Sequence, residues 1–240
     1  MTVKIYLVGG AVRDKLLGLK PKDLDYAVEA SSYKEMKDFI QKNGKIFLET
    51  PEYLTIRAHL NNGAPADYVL CRKDGEYSDG RRPDKVTPGT LFDDLARRDF
   101  TINSIAFNEA TGEYIDPYGG KEDLKTKTLR CVGDPLNPLN NPLDRFNEDA
   151  LRVLRAMRFK ITKGFNLHTC TENAMYSEQI CDKLSRNISM DRKRDELYRC
   201  FSFDTIATMQ FLQKSPAYFV QAIFNGATGK IWLSPTNKAP

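Results

Sequence analysis

The chain has 240 residues, 41% hydrophobic and 28% charged, with 36 Lys and Arg against 32 Asp and Glu for a net charge of +4. This composition excludes collagen-like, disordered and disulfide-framework classes, and the charge permits nucleic-acid binding without demanding it. No apolar run reaches the ~18 residues of a membrane span, and the start MTVKIYLVGG has neither a basic n-region nor a cleavage site, so a cytoplasmic protein with no membrane partner is expected.

In chain order, VKIYLV at 3–8 reads as a buried strand ending in Gly9-Gly10, and AVRDKLLG has helical spacing with Gly18 as its stop. DLDYAV, from Asp23 to Val28, alternates like a second strand, and SYKEMKDFIQKNG reads as an amphipathic helix closed by Gly44. KIFLET, LTIRAHL and ADYVLCR continue as strands. Residues 73–90, rich in glycine and proline, have the composition of a long mobile loop. A helix through LFDDLARRDF, a strand INSIAFN, a turn at Ala110–Gly112 and the short EYIDPYGG segment follow.

The Pro- and Asn-rich stretch at 133–146 marks a composition shift, and beyond it EDALRVLRAMRFKI, TENAMYSEQICDKL and MDRKRDELYRCFS show helical apolar spacing. The expected organisation is an α+β head over 1–135, an all-helical domain over 136–215, and a segment of uncertain role over 216–240, where Phe219, Phe224 and Trp232 read as core.

The five cysteines, Cys71, Cys131, Cys170, Cys181 and Cys200, are scattered without a CxxC pair, so reduced, mostly buried thiols are expected. His168, Cys170 and Cys181 match no zinc spacing. His59 is the only other histidine, which argues against histidine-based catalysis.

Asp23-Leu24-Asp25 carries the strongest chemical signal. On a strand, two carboxylates two residues apart share a face, and Asp67 in ADYVLCR adds a third if that strand pairs alongside. Oxygen-rich sites of this kind suit magnesium, and two magnesium ions can clamp both oxygens of a phosphoryl transfer. Gly9-Gly10 opens a helix whose amides can cradle a triphosphate, with Arg13 close by to neutralise charge. Further on, a helix through EDALRVLR would place Glu148, Asp149, Arg152 and Arg155 within a ~120° arc, and Ala150, Val153, Leu154 and Met157 on a core face.

GGAVRDKLLGLKPKDLD resembles the signature of class II tRNA nucleotidyltransferases and the related bacterial poly(A) polymerases. The likeness continues in family order through RRDFTINSIAFN at 97–108, IDPYGGKEDL at 115–124 and EDALRVLRAMRF at 148–159, covering roughly the first 200 residues. It implies a polymerase-β-like nucleotidyltransferase head and a small all-helical neck. It also implies metal-dependent addition of C and A (CCA) to the 3′ end of tRNA from CTP and ATP, with poly(A), CC-only or A-only tailing and a catalytically silent relic as alternatives.

By this resemblance Asp23 and Asp25 hold the catalytic Mg2+ ions with Asp67 as third carboxylate, and Gly9, Gly10 and Arg13 contact the triphosphate. Arg97, Arg98 and Asp99 match the ribose-recognition motif, with Asn103 in the same nucleotide-binding segment. Asp149 and Arg152 template the incoming base, Glu148 and Arg155 orient that pair, and Arg158 frames the pocket. A carboxylate accepts the exocyclic amine of cytosine or adenine and a guanidinium donates to their ring acceptors, whereas G and U present the opposite pattern.

ISMDRKRDELYRC at 188–200 is similar to the family's fifth motif, which braces the templating helix; Asp191 stands where a glutamate is more typical, and the shorter acid should weaken its contact. The 73–90 loop corresponds to the family's flexible loop. Relatives commonly carry a further helical body and tail for the tRNA elbow, and this chain ends soon after the fifth motif. Acceptor binding is therefore expected at the acceptor end alone or with a homodimer supplying the surface.

Overall fold

A computed structural model of the chain describes residues 3–61, 63–74, 86–133 and 141–225. Most of the 73–90 loop, half of the Pro- and Asn-rich stretch (134–140) and Trp232 lie outside the described residues. The chain divides into two compact units with a boundary after Thr126.

The first unit contains β1 (Lys4–Val8), α1 (Gly10–Leu16), β2 (Asp25–Glu29), α2 (Tyr33–Asn43), β3 (Gly44–Thr50), β4 (Thr55–Leu60) and β5 (Ala66–Leu70). β6 (Arg72–Asp74), β7 (Val86–Pro88), α3 (Leu91–Ala96), β8 (Ala106–Asn108), β9 (Glu113–Ile115) and α4 (Gly120–Lys125) complete it. Seven strands form one sheet in the order β3-β4-β5-β2-β1-β8-β9, and β6 pairs with β7. Only β2 and β5 run parallel to each other within the seven.

Strand alternation gives the sheet two cores. On one face Val28, Ile56, Ala58, Tyr68 and Leu70 bury against Met36 and Ile40 of α2. That helix starts where the Ser32 hydroxyl accepts the Glu35 amide. On the other face Tyr6, Val8, Ala27 and Ala106 pack with Leu91 and Leu95 of α3. A capping box between Thr90 and Asp93 starts α3.

The second unit contains β10 (Thr128–Leu129), α5 (Asn141–Glu148), α6 (Leu151–Lys163), β11 (Asn166–Leu167), α7 (Thr169–Met175) and α8 (Glu178–Asn187). α9 (Met190–Phe203), α10 (Thr205–Lys214) and α11 (Ala217–Phe224) follow. α6 packs on α9, and α8 on α11, around Phe146, Leu154, Met157, Leu184, Leu197 and Phe219. Lys193 is fully buried among them, its Nζ donating to the Ala222 carbonyl at 2.9 Å and the Ser185 carbonyl at 3.4 Å. Those carbonyls lie in the last turns of α11 and α8, the negative ends of two helix dipoles. The cysteines are free, four of them buried and Cys170 partly so.

Four expectations need correction, each for a local reason. INSIAFN is not one strand: Thr101–Asn103 is a 3-10 turn before β8. It is held because Thr101 Oγ1 donates to Asp123 at 2.6 Å and Asn103 Nδ2 to Asp99 at 3.0 Å. The backbone there comes so close to α4 that a Cβ on Gly120 would lie 2.2 Å from the Thr101 oxygen. Asp23 precedes β2 rather than lying in it, so alternation along a strand does not fix its direction. EDALRVLR is broken between α5 and α6, where the Asp149 carboxylate accepts the Leu151 amide at 3.0 Å and competes with helix continuation. TENAMYSEQICDKL is two helices, because the Ser177 hydroxyl caps the second.

Candidate active site

The sheet register builds the head site. One cross-strand row runs Leu48, Arg57, Asp67, Asp25, Val8, Ala106 and Ile115, so Asp25 and Asp67 stand side by side on parallel strands. Burial raises the Asp25 carboxyl above its ordinary range; Asp67 and Asp23 raise it further, while Arg98 and Arg57 pull it back. Arg57, which the sequence reading missed, lies across from Asp67 with Nη1 3.7 Å from Oδ2.

Hard oxygen donors that repel one another are what a magnesium-type cation relieves, so the donor chemistry fits a divalent metal. Among the described residues no group of three His, Cys, Asp or Glu side chains is drawn together tightly enough to hold an ion alone. Asp25 and Asp67, with Asp23 near enough to raise the Asp25 carboxyl, would be part of such an ion's shell, which magnesium ordinarily completes with water and phosphate oxygens.

Beside the carboxylates lies the Gly9-Gly10 turn. Gly9 has φ +68°, the left-handed region open to glycine, and a Cβ there would lie 3.0 Å from Arg98 Nη1. A Cβ on Gly10 would meet Arg13 Nη2 at 3.4 Å. Two guanidiniums therefore flank the glycine turn.

Arg13, Asn103 and Asp99, predicted from two separate motifs, meet in one buried network. Arg13 Nη1 donates to Asn103 Oδ1 at 2.8 Å, and Asn103 Nδ2 donates to Asp99 Oδ1 at 3.0 Å. Arg13 also bonds Asp14 through Nε and Nη2 at 3.0 and 2.8 Å. Arg97 and Arg98 both turn back onto Asp94, which is 1% exposed. Burial pushes the Asp94 carboxyl up, but the Arg98 and Arg97 guanidiniums outweigh it and hold the group at about 2. Asp94 was also missed, though its spacing of three and four residues to two arginines at the end of LFDDLARR was the signal.

In the helical unit the break at Asp149 sets the geometry. Oδ1 of Asp149 accepts the Leu151 amide at the start of α6, while Oδ2 accepts Nη2 of Arg192 from α9 at 2.8 Å. Arg152 Nη1 donates to Glu148 Oε2 at 2.8 Å and to the Arg145 carbonyl at 3.0 Å, and Arg145 pairs with Glu148. Arg158 Nε donates to Glu196 Oε2 at 2.5 Å, with Arg155 Nη1 4.0 Å from Glu196 Oε1. One face of α9 thus offers Arg192 to an acid and Glu196 to two arginines, four residues apart. Asp191 reaches Arg194 within its own helix at 2.9 Å, so Glu196 ties α9 to α6 and Arg192 ties it to Asp149 just before α6.

A family model for the poly A polymerase head domain matches residues 5–130. The chain belongs to this family.

Similar members include the CCA-adding enzyme of Anoxybacillus flavithermus, 43% identical over 171 residues, which are 71% of this chain and 40% of that protein. The CCA-adding enzyme of Bacillus pumilus is 38% identical over 199 residues, 80% of this chain and 44% of that protein. Among solved structures, the CCA-adding enzyme of Bacillus stearothermophilus in complex with CTP superposes with a TM-score of 0.72 at 31% identity, over 90% of this chain and 49% of that one. A tRNA nucleotidyltransferase complexed with a primer tRNA and an incoming ATP analog gives 0.72 at 27% identity, over 95% and 61%. The chain spans less than half the length of these two curated relatives. As a poly A polymerase head-domain protein it has a polymerase-β-like head and a helical neck, which confirms the expected fold class. Among the described residues no helix is long and apolar enough to cross a membrane.

Proposed function

We propose that the chain adds C and A residues to the 3′ end of tRNA from CTP and ATP without a nucleic-acid template, ending at CCA. The observation that carries this reading is the paired Asp25 and Asp67 beside a glycine turn flanked by Arg13 and Arg98. Asp23, Asp25 and Asp67 would hold magnesium, which when bound polarises phosphoryl oxygens and lowers the pKa of an attacking hydroxyl. Arg13 and Arg98 neutralise the triphosphate at the Gly9-Gly10 turn. Asp99, fixed by the Phe100 amide and Asn103, accepts from ribose hydroxyls and favours ribonucleotides. Arg97 serves the same ribose-binding segment, steadied by Asp94. The RNA 3′-hydroxyl attacks the α-phosphate and pyrophosphate leaves.

Base choice falls to Asp149 and Arg152. Each oxygen of Asp149 keeps a lone pair beyond its one intramolecular bond, enough to accept the exocyclic amine of cytosine or adenine. Glu148 holds Arg152, and Glu196 holds Arg155 and Arg158, so the donors that frame the base are positioned before it arrives. Uracil and guanine would leave buried groups unpaired.

Asp149→Ala is expected to retain incorporation while its preference for CTP and ATP over UTP and GTP falls about 100-fold or more. Competition assays with all four nucleotides check this, and unchanged selectivity would remove Asp149 from base choice. An open A tract or an arrest after CC in the wild type would move the chain to a poly(A) or CC-adding role on the same chemistry.

A further inference from the structure

The row that carries the two carboxylates continues past them to Arg57 on β4 and Leu48 on the edge strand β3. Two residues along β4 on the same face, His59 stands opposite Lys45. Phe47 is the extra residue where the register shifts between Ile46 and Leu48, and its ring meets His59 edge-on with centroids 4.9 Å apart. These side chains are not used by the core: Phe47 is 49% and Leu48 57% exposed, and the Arg57 side chain is half exposed. Glu49, the only acid of β3, turns to the opposite face, where Lys37 lies 3.0 Å away.

The edge is therefore aromatic and basic on the face that carries Asp25, and neutral or paired on the other. A bulge in an edge strand interrupts the ladder another strand would need, which disfavours strand addition by a protein partner. Rings beside cations, in line with carboxylates suited to phosphoryl transfer, have the chemistry of single-stranded nucleic-acid binding. We propose that the β3–β4 edge of this face seats the single-stranded 3′ end of the RNA acceptor. Phe47 and His59 offer a base its stacking surface, Lys45 neutralises the backbone, and Arg57 holds the last phosphate one strand away from Asp67. This deepens the proposed function and rests on RNA being the acceptor.

The test measures RNA binding apart from catalysis. A fluorescently labelled single-stranded RNA of about twelve nucleotides ending in CC is titrated by anisotropy without nucleotide, against the wild type, Phe47→Ala and Arg57→Gln. Met209→Ala, an exposed apolar residue on α10, is the control, and circular dichroism confirms folding. Phe47→Ala and Arg57→Gln are each expected to weaken RNA binding about tenfold, with Met209→Ala unchanged. In incorporation assays the KM for RNA should rise by the same factor in Phe47→Ala, with the KM for CTP within about twofold of wild type. Unchanged RNA affinity in Phe47→Ala, an equal loss in Met209→Ala, or a change only in oligomeric mass would overturn the proposal. RNA binding that falls as expected in a protein that adds no nucleotide would leave this surface standing and refute the enzymatic reading.

Discussion

Replacing Asp25 with asparagine is expected to lower nucleotide incorporation by about 1,000-fold or more, with the melting temperature equal to that of the wild type or above it. The two halves of this result have one cause. Asp25 is partly buried beside Asp67 and near Asp23, and both burial and those neighbours disfavour its charge. An amide of the same shape removes that penalty from the folded state and also removes a hard-oxygen donor. Single-nucleotide incorporation and thermal melting, measured on the same preparation, check the pair. Retained activity would remove Asp25 from the catalytic site, and a large fall in melting temperature would make it a structural residue.

Asp94→Ala should act in the opposite sense, destabilising the head by about 3–5 kcal/mol, the usual cost of deleting one member of a buried ion pair. Asp94 is almost wholly buried and is shared by Arg97 and Arg98. Arg98 also reaches the glycine turn and the Asn103 carbonyl, so the KM for nucleotide is expected to rise as well. The pH dependence follows from linkage. The folded-state pKa of about 2 lies below the ordinary carboxylate value of 3.8, so the stabilisation is fully present above pH 4 and is lost as pH falls toward 2. Asp94→Asn should therefore flatten the acid limb of the stability curve between about pH 4 and 2, which urea melts across that range would show. An acid limb identical to that of the wild type would contradict the shared ion pair.

The head half of the candidate site could be proposed from sequence because its residues sit in short local patterns. Gly9-Gly10, Asp23-Leu24-Asp25 and Arg97-Arg98-Asp99 each declare a chemistry within a few residues, and alternation along ADYVLCR was enough to put Asp67 on a strand. Pairing was not legible. That β2 and β5 run parallel with Asp25 opposite Asp67 depends on a contact across 42 residues of sequence, and Arg57 and Leu48 join the row only through the register of β4 on β5 and of β3 on β4.

The same limit explains the helical unit. Apolar periodicity located α6 and α9 but passed through the break at Asp149, because a side chain bonding its own backbone leaves no trace in hydropathy. It also hid the tie from Arg192 to Asp149, which joins residues 43 apart in sequence. Nothing in the sequence marks Lys193, which is fully buried on two helix-end carbonyls.

The most direct test of the central reading incubates the protein with magnesium, CTP and ATP and tRNA transcripts ending at the discriminator base, at C or at CC, and resolves products to the nucleotide. Extension of each transcript to CCA and no further is the predicted result. A folded protein that extends none of them, with either nucleotide or both, would contradict it.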